Sequence, residues 1–303
     1  MSLIDKIFGK LNFSFIWKDN NKKIVKLSDG KFQLHQEHSG VTNILNIESL
    51  NVTVQDINNL AGLNVPENPY ELLQNMGQRW IVEQQFKQQN FQKTVAKAEL
   101  VSISEPKSLE SDWFLKWMEI SQGVSKENVQ EILAKILNSE VTQQGSFSLR
   151  TLEVLKNLSK KELELFQIFC DISFAVPQLQ DGYTCVVCEP FGNPGDNGLS
   201  SLNLPYSHLT KLQNAGLIHT ELNAWKLFPI PLLLEMPHTI GSEVFAFQST
   251  NETIGSTPRV KVINFTDAGL ELRSVLSLNT NSEYNKKFTN WVESTWKMIP
   301  LKI

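Results

Sequence analysis

Val129, Ile132, Leu133, Ile136 and Leu137 stand at i, i+3, i+4, i+7 and i+8, which puts five apolar side chains on one stripe of a helix. A stripe of that width is stable only when another element covers it, so the middle of this chain must be a region of helix packing. The neighbouring segments agree. Ser125 is placed to cap this helix, and Asp112 opens a shorter one carrying Trp113, Phe114, Trp117, Met118 and Ile120, closed at Gly123. Leu149, Leu152 and Leu155 mark another helix, and Ser159 with Glu162 has capping-box spacing ahead of Leu163, Phe166 and Phe169. Upstream, residues 70–100 carry Leu73, Met76, Trp80, Phe91, Val95 and Ala98 near the helical period. About 30 helical residues span about 45 Å. Such a helix either crosses its own bundle or leaves part of its stripe as a self-association surface.

The flanks follow a different pattern. Phe13, Phe15 and Trp17 alternate, and Asp29-Gly30 is a hairpin signal ahead of Phe32 and Leu34. Beyond the helical middle, residues 172–201 read as loop with one strand, and residues 225–234, 244–247 and 260–265 as β-type runs. The apolar stretch 227–234 contains Pro229 and Pro231 and reads as a buried or edge strand. A last helix is expected over residues 282–299. The expected fold class is α+β: a small antiparallel β section over 1–65, a helical bundle over 66–175, and a winged-helix-like part over 176–303.

Composition narrows the function classes. Of 28 basic residues in 303, only Arg79, Arg150, Arg259 and Arg273 are arginine, and the net charge is −4. A dedicated nucleic-acid binder usually presents a basic field with guanidinium forks, so this balance disfavours one without excluding it. Three cysteines, Cys170, Cys185 and Cys188, make no disulfide framework and suit a reducing cytoplasm. No apolar run approaches the roughly 18 residues of a membrane span. Residues 1–11 place Leu3, Ile4, Ile7, Phe8 and Leu11 on one helical face, which suits a helix docked on its own domain or one lying on a membrane surface.

Few residues have the spacing that chemistry needs. Cys185-x-x-Cys188 is a lone pair where a structural zinc takes four ligands, so buried thiols are expected. His35-x-x-His38 lacks the i, i+4 spacing of a zinc-binding helix. Asp29-Gly30-Lys31 resembles half of a metal-dependent nuclease site, and a hairpin turn accounts for the same residues. The glycines of 192–198 precede no Lys-Ser/Thr pair and cradle no phosphate. No metal or cofactor is expected, and an enzyme is disfavoured.

Two clusters remain as candidate binding sites. Ser146, Ser148 and Arg150 follow the Gly145 turn at a helix start. They either tie two helices together, with Arg150 reaching Glu140 or Glu153, or form an anion site. The second cluster is a helix opening at Pro205 and closed by Gly216, whose cadence resembles the recognition helix of a winged helix-turn-helix. It would present Tyr206, His208, Lys211, Gln213 and Asn214. With one lysine it suits protein contact better than phosphate contact.

One stretch is specific enough to resemble a known family. It comprises Asp112-Trp113-Phe114, the run from Val129 to Glu140, and the run Gly145-Ser146-Phe147-Ser148-Leu149-Arg150-Thr151-Leu152-Glu153 continuing to Ser159, with Arg79, Glu83, Gln84 and Asn90 upstream. These residues resemble the bacterial family catalogued as domain of unknown function two-eight-zero-six, most strongly over 70–175. Asn138-Ser139 and Gln144 depart from its pattern. The resemblance implies a bacterial cytoplasmic protein from mobile or defence-related gene neighbourhoods. The expected function is a non-enzymatic protein-interaction or sensor component in anti-phage defence. The alternatives are a winged-helix nucleic-acid-binding regulator and a cryptic nuclease.

Overall fold

The computed structural model describes residues 35–38, 41–44, 69–99, 109–177, 183–191, 196–219, 221–222, 224–250 and 258–303. The helix expected over 1–11, the Asp29-Gly30-Lys31 turn and residues 192–195 lie outside these. Chain contacts form two units, residues 1–134 and 135–303. The elements are mixed helices and antiparallel strands, an α+β arrangement. Among the described residues no helix is long and apolar enough to cross a membrane.

In the first unit, β1 (His35–His38) and β2 (Val41–Ile44) pair antiparallel. Helix α1 (Pro69–Glu99) is followed by α2 (Ser111–Gly123) and the start of α3 (Glu127–Thr142). The second half of α1 buries Phe91, Thr94, Val95 and Ala98. Phe91 meets Trp117 of α2 edge-on at 6.1 Å, and Trp117 stacks on Phe114 at 5.9 Å. The Trp117 indole N–H donates to the Leu133 carbonyl (2.9 Å), so the largest side chain of this core is also polar-satisfied. Met76 and Trp80 continue the same helical stripe toward the start of α1, but there they are 55% and 54% exposed.

The second unit is built on a seven-stranded antiparallel sheet. It contains β3 (Ser173–Pro177), β4 (Tyr183–Cys188), β5 (Ala224–Leu227), β6 (His238–Ile240), β7 (Glu243–Ser249), β8 (Arg259–Asn264) and β9 (Met298–Lys302), in the order β5-β8-β4-β3-β6-β7-β9. The helices are α4 (Leu149–Asn157), α5 (Lys160–Asp171), α6 (Tyr206–Asn214), α7 (Ile230–Glu235), α8 (Asp267–Val275) and α9 (Ser282–Trp291). β3 contains residue 175, the expected limit between the helical and winged-helix-like sections.

Three expectations need correction. Residues 172–201 hold two central strands where one was expected. Thr184 to Cys188 are buried in succession, so β4 lacks the alternation that marks a half-buried strand. The run 225–234 is strand only to Leu227. Pro229 then caps α7, and Pro231 sits in its first turn, where a missing N–H costs nothing. The last helix ends at Trp291. A π-helical turn, Val292–Trp296, and a left-handed Lys297 (φ 55°) then turn the chain into β9.

Phe174, Phe247 and Phe288 form an aromatic layer around His238, which is wholly buried and stacks on Phe247 at 5.1 Å. Its Nε2–H donates to the Leu233 carbonyl (2.8 Å), and Nδ1 has no partner among the described residues. Burial holds its pKa below the ordinary histidine value, with the Leu233 bond opposing that shift. The unfolded chain therefore takes up this proton at a higher pH than the folded one. Stability is full above about pH 6.5 and falls as pH drops below it, by up to about 1.4 kcal/mol per pH unit for one proton. Thermal melts at pH 7.5 and 5.5 should show this loss, and His238→Phe should flatten it. A wild-type melting temperature that does not change over that interval would contradict the assignment.

Candidate functional site

The turn between α3 and α4 is held by two carboxylates. Glu140, 2% exposed, accepts from the backbone N–H of Gly145 (2.6 Å) and of Phe147 (3.0 Å). Gly145 adopts φ 85°, a conformation glycine reaches without a Cβ penalty. Glu271, from α8, accepts from Ser148 N–H (2.7 Å) and from the Thr151 hydroxyl (2.5 Å). Ser148 is the N-cap and accepts from Thr151 N–H (3.2 Å). A carboxylate at a helix start complements its dipole and unsatisfied donors. Ser146 donates its hydroxyl to the Gln143 carbonyl (2.6 Å). The donors that an external anion would need therefore already serve Glu140 and Glu271. Arg150 is exposed and makes no ion pair among the described residues, so the tie runs through the two glutamates.

Arg150 instead lines an open groove of about 360 Å³ between α4, α5 and α6, with Glu153, Val154, Asn157, Glu162 and Asn214. The groove thus brings together one member of each candidate cluster, Arg150 and Asn214. Glu162 belongs to the capping box with Ser159. Its pKa lies below the ordinary carboxylate value, first because of the Ser159 hydroxyl, then the Ser159 amide, with the Lys211 charge adding to the effect. The lining carries both charge signs together with the apolar Val154, Leu158 and Ala215.

Along α6, Tyr206 is 64% exposed, and Lys211 and Asn214 are exposed beside it. The His208 ring bonds the Asn203 carbonyl through Nδ1 (2.9 Å), and Gln213 Nε2 donates to the His219 carbonyl (3.2 Å). Two of the five candidate readers are therefore engaged with backbone. Glu271 had no sequence signal as a site residue, because it lies 123 positions from its partner Ser148.

The cysteines are buried and reduced. Burial raises all three thiol pKa values, with the Arg273 charge opposing this at Cys170 and Cys185. Arg273 Nε–H donates to the Ser173 hydroxyl (2.7 Å), which donates to the Cys170 carbonyl (2.6 Å). His35 and His38 are the two ends of β1. No group of three or more metal-ligating residues occurs among the described residues.

Residues 74–289 match a family model described as protein of unknown function (DUF2806). No curated protein and no solved structure gives a significant match to the chain.

Proposed function

The chain belongs to the DUF2806 family, and from that premise we propose a non-enzymatic, cytoplasmic protein-interaction or sensor component of bacterial anti-phage defence. The observation that carries the protein-contact reading is the sign pattern of the groove. Arg150 lines it together with Glu153, Glu162 and the apolar Val154, Leu158 and Ala215, and the Lys211 charge acts on Glu162 from beside it. A phosphate backbone would meet two carboxylates there, whereas a protein surface of mixed charge can complement both signs. Phage plating on cells with and without the gene tests the defence role. Reduced plaque counts on the gene-bearing strain are expected for at least one phage, and equal counts across a broad panel would contradict it.

The second reading is a winged-helix-like nucleic-acid-binding regulator with α6 as recognition helix. Tyr206, Lys211 and Asn214, exposed on that one helix, favour it. Anisotropy titrations with duplex and single-stranded DNA and RNA at 50 and 200 mM salt separate the two. Protein contact predicts no salt-dependent binding, and affinity falling steeply with salt would favour the regulator.

A further inference from the structure

The two edges of the seven-stranded sheet are finished differently. Ile303 N–H donates to the Val244 carbonyl (3.0 Å), so in the antiparallel ladder of β9 with β7 the alternate residues Pro300 and Lys302 direct their backbone outward. Proline offers no N–H, so that edge is blunted. At the opposite edge, Phe228 N–H donates to the Pro258 carbonyl (2.8 Å) in register with the β5–β8 pairs. Lys226 and Ala224 therefore face β8 with their backbone groups, and Trp225 and Leu227 turn their N–H and C=O groups outward. Those outward groups have no partner among the described residues.

The same two residues leave large apolar side chains in solvent, Trp225 at 64% and Leu227 at 60% exposure. Arg259, the cross-strand partner of Leu227, holds its guanidinium 5.2 Å from the centre of the Trp225 ring. Arg259 has no ion pair among the described residues, whereas the neighbouring Lys261 is paired with buried Glu189. We propose that β5 is a docking edge for an extended acidic segment of a partner protein, added as an eighth strand. Its backbone would bond Trp225 and Leu227, its apolar side chains would cover theirs, and a carboxylate would meet Arg259. This surface is separate from the groove, so either can fail without the other.

The test uses the full chain and labelled eight-residue peptides of repeat Val-Thr-Glu-Thr or Val-Thr-Lys-Thr, which place valine and the charged residue on the same face of a strand, as Leu227, Trp225 and Arg259 are. The glutamate peptide is expected to bind at least tenfold tighter and to slow hydrogen exchange at the Trp225 and Leu227 amides. Arg259→Glu should reverse the preference. Leu227→Pro should abolish binding, since it removes an outward donor and leaves the β5–β8 ladder intact. Equal affinity for both peptides, no binding at millimolar peptide, or full binding by a folded Leu227→Pro variant would overturn the proposal. So would tighter binding of oligothymidylate, which would reassign the Trp225–Arg259 pair to single-stranded nucleic acid.

Discussion

Glu140→Ala is expected to destabilise the second unit by about 3 kcal/mol. The carboxylate satisfies two backbone donors at once, and its removal leaves the buried Phe147 N–H with no acceptor while freeing the Gly145 N–H as well. Charge-assisted bonds of this kind are each worth roughly 1.5–3 kcal/mol, and part of that returns where water reaches Gly145. For a unit of this size the loss corresponds to a melting-temperature drop of about 10 °C. Glu140→Gln should fall about halfway, because an amide keeps one acceptor oxygen and replaces the other with a donor. Urea unfolding of the three proteins measures both values. A Glu140→Ala midpoint within experimental error of wild type would show that the turn does not depend on this residue.

Gly269→Ala is expected to be comparably damaging for a different reason. A Cβ at position 269 would overlap the Leu217 carbonyl oxygen, which is backbone and cannot rotate away. That carbonyl also accepts from Thr266 N–H (3.1 Å), and the Thr266 hydroxyl donates to the Gly216 carbonyl (2.6 Å). Thr266 is in turn the N-cap of α8, accepting from Gly269 N–H (3.0 Å). The end of α6 and the start of α8 are thus one interlocked junction, and a methyl group there must displace all of it, at a cost of about 3 kcal/mol. Gly123→Ala is the control, since nothing lies within 4 Å of its added carbon. It should melt within about 2 °C of wild type. Equal melting temperatures for both variants would contradict the close approach at Gly269.

What the sequence disclosed and what it concealed have separate physical causes. The helices α1 to α6 are legible because each is a local pattern. The stripe in α3, the Ser148 cap and the Ser159–Glu162 capping box are all set by spacings of a few residues. β3 and β4 were blurred because strands buried on both faces lose their alternation. α7 is hidden because Pro229 and Pro231 start a short helix with the same residues that would interrupt a strand. Glu140 was recognised only as a partner for Arg150, because charge suggested a pairing that the two backbone amides took instead. Glu271 and the Trp225–Arg259 edge depend on contacts between distant positions, and no local pattern carries them. The shortage of arginine gains meaning from location: Arg150 lies in the groove, Arg259 on the open edge, and none on α6.

The claim that the groove between α4, α5 and α6 contacts protein is tested most directly by affinity capture from the native host after nuclease treatment. The bait is the wild-type chain or the double variant Arg150→Glu, Lys211→Glu, with recovery measured by quantitative mass spectrometry. Both substituted side chains are exposed, so the variant should melt within about 2 °C of wild type. A protein recovered with wild type and depleted at least tenfold with the folded variant is the expected result. Recovery of the same proteins by both baits, or loss of every partner on nuclease treatment, would contradict it.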